Sequence, residues 1–445
     1  MRHKGDIDPF TNVTAEYWKI VDSKLSPYPN HSPTFNFLKE YFYREYEVDT
    51  NPLSYVSVHR AFTYGSVDFL MQPRVNRWYS QMEKLPEIKY SLPSFHIGES
   101  SFYFDHSSLV GNYNDKQPVP TDYSKHANRL DTNNKLSMPM KVAFVKLTPF
   151  VAHEGTYYQK GTDGSTNLFR TIFSSGAEAS TKFFRIFNLK TNFLGLDIND
   201  VRHIITPTIN YAYQHMPTIL SSKLTQIDGT DSISSPSNSA TLQLSNILQT
   251  KRNNLTVDFF DFLISSPYQF KTRGVQSSKL GDITLKLKFL PWSNVALYSD
   301  SIFSRALGET HNKFVNANYE LSYDMGNERS VGFGQRYQRK GSNEFTLNFN
   351  WRINPKWKFT IYERYATGHR DPTLGRGLRE QEYVLSRDMH CWTMEATYNV
   401  TRDRGESIFI AFKLKAFPEL GFNFNQAYHQ PKAGDANKEA LARTN

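Results

Sequence analysis

Residues Val315–Asp324 read VNANYELSYD, and this stretch decides the fold. Val315, Ala317, Tyr319, Leu321 and Tyr323 are apolar; Asn316, Asn318, Glu320, Ser322 and Asp324 stand between and after them. Successive strand side chains point to opposite faces, so the segment has one greasy face and one wet face. The pattern returns at Phe345–Ile353 (FTLNFNWRI) and again at Trp392–Val400 (WTMEATYNV). Ile283, Leu285, Leu287 and Phe289 alternate cleanly with Thr284, Lys286 and Lys288. Segments of about nine to eleven residues match a tilted strand crossing a bilayer. The expected fold is therefore all-β: a large antiparallel transmembrane β-barrel of about 18–24 strands.

Composition agrees with that reading. Of 445 residues 15% are aromatic, including 33 Phe and 26 Tyr, yet 21% are charged. Alternating lipid-facing and lumen-facing residues produce this mixture, because the two cancel in any window. The longest apolar run, Ile408–Phe412, has five residues. A membrane helix needs about 18–20, so helical spanning is excluded. The net charge is +9, and its placement is uneven. From Arg329 to Arg379 there are eight Arg and three Lys against Glu344, Glu363 and Asp371, a surplus of +8. The single cysteine, Cys391, can form no disulfide within the chain. The basic start Met1-Arg-His-Lys has no apolar run after it, so no secretory signal is read here. An outer-membrane protein needs one, and the expectation is that this chain is the C-terminal part of a longer protein, its barrel incomplete at the N-terminal side.

Along the chain, three regions are expected. Residues 1–50 form a barrel-entry segment with a short helix, since Phe35, Leu38, Phe42 and Tyr46 share one side of FNFLKEYFYREY. Ser32 and Pro33 supply its start. Residues 51–430 form the barrel, with strands beginning near Ser54, and residues 431–445 form a polar tail. Turns fall at 324–327, 339–343 and Asn354-Pro355; polar loops are expected at 106–136, 215–238 and 367–379.

Chemistry-bearing motifs are sparse. Asp228-Gly-Thr-Asp-Ser has some calcium-loop character but lacks the twelve-residue ligand pattern, so a solvated loop is expected. The thirteen His show no HxxxH or HExxH spacing, and no GxSxG, Walker or GxGxxG element occurs. No metal and no cofactor is expected. The basic stretch is the one cluster of physical interest. With the apolar face of each strand turned to lipid, Arg336, Arg352, Lys358 and Arg364 point inward on neighbouring strands. An arginine in mid-membrane on the lipid face costs about 2–4 kcal/mol, which enforces that assignment. Such a wall attracts an anionic, phosphate-bearing solute. It equally suits a solvated lattice of cations with Glu320 and Glu395 that stiffens the wall, and both can hold together.

Four segments then resemble a known family. RVNRWYSQMEKLPEIK (74–89), with Asn76, Leu85, Pro86 and Glu87, resembles the "N…ERLPEL" segment of LptD, the lipopolysaccharide-assembly or organic solvent tolerance family. SPTFNFLKEYFYREYE (32–47) resembles its "D..FL..YY...F" stretch. VRHIITPTINYAY (201–213), with Arg202, His203 and Pro207, resembles "RH.L.P.V.Y.Y". DMHCWTMEATY (388–398), with Cys391 and Trp392, resembles "D.CW.L.L.Y", and FKLKA (412–416) looks like the final strand. The resemblance implies the outer-membrane exit of lipopolysaccharide transport. A periplasmic jelly roll receives the lipid, and a barrel opens sideways to release lipid A into the outer leaflet. It implies as partners lipopolysaccharide, a plug lipoprotein of the LptE kind, the periplasmic transport bridge, the barrel-assembly machinery and outer-membrane lipids. Jelly roll and first strands are not found here, and a closed wall would need them. In many members C-terminal cysteines pair with N-terminal ones; Cys391 matches by its "CW" context, and any partner lies outside this chain. Cys391 reads equally as an unpaired thiol at a strand end.

The function expected is that of a transporter component of the outer membrane, not an enzyme, with the inward cations contacting phosphorylated sugar or the plug. Nothing points to nucleic acid. A general porin or uptake channel is the alternative; an outer-membrane phospholipase and a soluble all-β protein are further rivals.

Overall fold

A computed structural model describes residues 2–19, 53–76, 80–117, 124–253, 255–272, 279–305, 313–339, 342–369, 376–401 and 405–415. Among them the chain forms 24 strands. The first nine are β1 Arg2–Asp8, β2 Thr11–Glu16, β3 Tyr55–Phe62, β4 Gly65–Gln72, β5 Gln81–His96, β6 Tyr103–Lys116, β7 Ser124–Ser137, β8 Met140–Val142 and β9 Val145–Lys160. Then come β10 Thr166–Ser180, β11 Phe183–Thr191, β12 Ile198–Gln214, β13 Ser237–Arg252, β14 Leu255–Gln269, the two-residue β15 Lys279–Leu280, β16 Ile283–Trp292 and β17 Val295–Phe303. The last are β18 Phe314–Gly326, β19 Arg329–Gln338, β20 Ser342–Asn354, β21 Trp357–His369, β22 Gly377–Met389, β23 Trp392–Thr401 and β24 Gly405–Leu414. The fold is all-β and antiparallel, the architecture of a large barrel wall.

The chain divides into two compact units, one of residues 1–179, 210–240 and 270–278, the other of 180–209, 241–269 and 279–445. In the first, β1 to β7 pair each with the next, and β7 passes to β9. In the second, β16 to β24 form an unbroken antiparallel run. Connections alternate in length along each unit. Two-residue turns stand at 9–10, 63–64, 143–144, 293–294, 327–328, 355–356 and 390–391, while the opposite end carries the longer ones, among them 215–236, 304–313 and 370–376. Short periplasmic turns and longer outside loops are the habit of outer-membrane barrels. The tight turns are locally encoded. Asn327 and Glu328 both take φ +55°, the left-handed pair of a hairpin turn. Asn354 Oδ1 accepts the amides of Lys356 and Trp357 at 2.9 and 3.0 Å.

The faces follow the alternation. On β18, β19 and β20 the exposed large apolar side chains are Tyr319, Leu321, Tyr323, Met325, Phe333, Leu347, Trp351 and Ile353. Across the sheet Leu321 opposes Phe333, which opposes Leu347, so the apolar row is continuous. An exposed apolar band of this extent is a lipid-facing surface. Leu347→Arg is expected to cost about 2–4 kcal/mol in folding from vesicles, and Asn348→Arg, on the wet face, less than about 1 kcal/mol. Equilibrium denaturant titration of the two variants checks this.

Two sequence expectations are revised. The stretch 106–136 is not a loop: it lies mostly in β6 and β7. Residues 124–137 (SKHANRLDTNNKLS) are polar on both faces, so they carry no alternation to read. Strands also precede Ser54, because β1 and β2 form a charged hairpin closed by Asp8 Oδ1 on the Phe10 amide (2.8 Å). The expected helix at 35–46 and the tail at 431–445 lie outside the described residues.

Candidate functional site

The long connection 215–236 is not a solvated loop. It packs on the inner face of the first unit through a buried cluster of charge. Residues 129, 158 and 170 face inward because their strands turn Leu130, Val151 and Phe169, respectively, to the outside. Arg129, Tyr158, Arg170 and the loop residue Asp231 are almost wholly buried. The Asp231 carboxylate accepts from Arg129 Nη1 (3.0 Å), from the Tyr158 hydroxyl, and from the amides of Ile227 (2.8 Å) and Asp228 (3.0 Å). Arg129 also pairs with Asp228 at 2.7 Å and with Asp131, two residues along its own strand, at 3.8 Å. Arg170 donates to the carbonyls of Thr230 (2.8 Å) and Ile233 (2.6 Å). Two wall arginines thus hold one short loop segment by its carboxylate and its backbone. A buried charge left alone costs several kcal/mol, so the members stand or fall together.

The loop has a second attachment. Thr162 donates from its amide to the Lys223 carbonyl (3.0 Å) and from its hydroxyl to the Ser222 carbonyl (2.8 Å), and Lys223 reaches Asp163 at 3.5 Å. Hydrogen bonds from the Ser165 hydroxyl and amide hold Asp163, in the 161–165 turn, below the usual carboxylate range. Leu224 is buried beneath this contact. Beside the cluster, Tyr113 lies flat across Gly111 and donates to Glu87 Oε2 at 2.7 Å. Sequence reading passed over this site. The available signal was faint: Arg129 and Asp131 share a strand face two residues apart, and Asp231 lies about a hundred residues away in a polar loop.

The four basic residues singled out from the sequence divide into two pairs. Arg336 and Arg364 lie toward the long-loop end. Arg364 pairs with Glu344 (3.6 Å) and with buried Glu380 (3.4 Å), and Arg336 faces Glu344 in the β19–β20 register. Arg352 and Lys358 are register partners at the short-turn end. Arg352 bonds Glu328, and Lys358 lines an open cleft of about 430 Å³ with Asn350, Asp324, Glu328 and Arg329. The acids beside these cations include Glu328, Glu344, Glu380 and Asp324, different residues from the Glu320 and Glu395 named from the sequence.

A family model described as "LptD: LPS transport system D" matches residues 36–357. The chain belongs to the LptD family. LptD is a transport component and not an enzyme family, and the match bears out the resemblance read from the sequence. The LptD-like positions sit as follows. Asn76 is buried and donates to the Trp18 carbonyl at 2.9 Å, while Trp18 donates its amide to Ser54 Oγ. Leu85 and Pro86 occupy an irregularity of β5, next to Glu87, which also pairs with Lys84 at 2.9 Å. Arg202 donates to Gln249 (2.6 Å), His203 faces Arg185 across the β11–β12 register, and the Pro207 carbonyl accepts the Thr181 amide. Cys391 is exposed in the 390–391 turn, 3.1 Å from His390 Nδ1, and Trp392 opens β23.

No curated protein matches the chain. Among solved structures, it is similar to the ferric enterobactin receptor of Pseudomonas aeruginosa, with 8% identity and a TM-score of 0.38 over 78% of this chain and 65% of that one. The FrpB iron transporter of Neisseria meningitidis gives 10% identity and 0.37 over 79% and 67%. The siderophore receptor PirA of Acinetobacter baumannii gives 8% and 0.37 over 82% and 71%. The chain spans just under two thirds of the length of the first of these receptors.

Proposed function

We propose that this chain forms the wall of an outer-membrane translocon that delivers lipopolysaccharide to the outer leaflet, with release through a sideways opening of the barrel. The match to the LptD family over residues 36–357 carries the reading. A wet inner face bearing Arg336, Arg352, Lys358 and Arg364 supports it, since phosphorylated sugars need cationic contacts along their path. A plug lipoprotein, the periplasmic bridge and the barrel-assembly machinery are the partners this role requires.

The test is depletion of the protein in its own host, with rescue by wild type or by the double charge reversal Arg336→Glu/Lys358→Glu. Wild type is expected to restore surface-labelled lipopolysaccharide and resistance to bulky antibiotics. The reversed variant is expected to assemble, as judged by heat-modifiable gel migration, and to fail in both. Normal surface lipopolysaccharide in depleted cells, together with steady ion conductance of the purified protein, would instead make it an uptake channel.

A further inference from the structure

The short-turn end of the second unit carries an arginine on the wrong face for a barrel. In register, Trp357 opposes Arg387, which opposes Met394; the next outward row is Phe359, Leu385 and Ala396, and the next Ile361, Tyr383 and Tyr398. Arg387 therefore points to the lipid side, at the head of a column of apolar residues. Its guanidinium lies 5.0 Å from the centre of the Trp357 ring, and it is exposed. Around it opens a cleft of about 750 Å³ lined by Pro355, Lys356, Asp388, Met389, His390 and Trp392 among others. Both turns that form its floor are two residues long, and the Asp388 amide bonds the Lys356 carbonyl at 2.7 Å, which fixes one turn against the other. Asp388, the only carboxylate among the described residues that line the cleft, is engaged by Lys415, so it does not cancel Lys356 and Arg387.

A cation on the lipid face is tolerated where it can reach the headgroup layer, and aromatic side chains mark that layer. Trp357 and Trp392 stand in this band, and the register carries the apolar rows on to the exposed Phe412, Ile410 and Ile408 of β24. The cleft thus offers two cations for a phosphate beside an apolar track for an acyl chain. The short-turn end is the periplasmic one in a barrel of this habit. We propose that Lys356 and Arg387 form a binding site for the headgroup of an anionic glycerophospholipid of the periplasmic leaflet, whose acyl chains lie along Phe359, Leu385 and Met394. Such a bound lipid would seal the wall beside its C-terminal strands. The site requires only the outer-membrane wall, not the cargo, so its failure leaves the transport reading untouched.

Native mass spectrometry of the full chain, folded in a neutral detergent, tests this. Phosphatidylglycerol, phosphatidylcholine and purified lipopolysaccharide are added separately and in competition. Phosphatidylglycerol is expected to bind about tenfold or more tighter than phosphatidylcholine, from two cations at the headgroup. Lys356→Gln/Arg387→Gln is expected to erase that preference, Lys356→Gln alone to reduce it, and Arg387→Lys to keep it. Circular dichroism and heat-modifiable migration verify folding of each. Equal retention of the two phospholipids, an unchanged preference in the double variant, or displacement of phosphatidylglycerol by lipopolysaccharide at equal concentration overturns the proposal.

Discussion

Asp231→Ala is expected to release the 215–236 loop from the inner face while the wall stays folded. The substitution takes from Arg129 its one fully buried carboxylate partner, leaving the more exposed Asp228 and Asp131, and strips the Tyr158 hydroxyl and the amides of Ile227 and Asp228 of their acceptor. Breaking a fully buried pair costs about 3–5 kcal/mol, and here Arg129 falls back on Asp228, which sits in the same loop, so the loss falls on the loop's attachment. That exceeds what the Thr162 contacts can hold, at about 1 kcal/mol for each ordinary hydrogen bond. Limited proteolysis should cut the loop at least about a hundredfold faster, since about 1.4 kcal/mol is a factor of ten in the open population. Lys223→Ala serves as the contrast. Its pair with Asp163 is exposed on both sides and contributes less than about 1 kcal/mol. If both variants are cleaved at the wild-type rate, the buried cluster does not hold the loop.

Gly111→Val is expected to unseat Tyr113. A Cβ at position 111 would stand 2.5 Å from the tyrosine ring, a distance that side chains do not tolerate. The ring must leave its place across the glycine, and with it goes the hydroxyl bond to Glu87. Overpacking of this kind costs about 1–3 kcal/mol, and the lost hydroxyl bond adds about 1 kcal/mol, since Glu87 keeps its pair with Lys84. The denaturant midpoint should fall accordingly, and the near-ultraviolet tyrosine signal should weaken. Gly111→Val/Tyr113→Ala should recover part of the loss, because the clash is then gone. A Gly111→Val protein as stable as wild type would show that Tyr113 gains nothing from its seat.

The second unit was largely legible in the sequence because its strands face lipid on one side. Val315–Asp324, Phe345–Ile353 and Trp392–Val400 each lie in a strand whose apolar residues turn outward. The strands β1, β2 and β7 were not legible. Residues such as Lys125, His126, Asn128 and Arg129 give a period-two reading no contrast, and pairing with neighbours, not pattern, makes them strands. The family was readable from short segments, notably 74–89 and 201–213, which the family model spans. The loop clamp was not, since its parts come from β7, β9, β10 and a loop, and no local spacing links Arg129 to Asp231. Arg387 escaped notice although its strand alternates: it shares the face of Tyr383, Leu385 and Met389, and the register confirms that side by setting it opposite Trp357.

The Arg129–Asp231 cluster also acts as a proofreader of strand alignment. A one-residue slip of β7 would exchange Arg129 with Leu130, sending the charge outward and the leucine in. Strands with a marked apolar face resist such a slip by themselves, but β7 has little contrast between its faces. The loop supplies the missing discrimination: Asp231 finds Arg129 and Tyr158 together only when β7 and β9 are aligned with Arg129 opposite Tyr158. Because the loop follows these strands in the chain, the check can be made only after they are laid down. A misaligned wall would be left with a loose loop, open to cleavage.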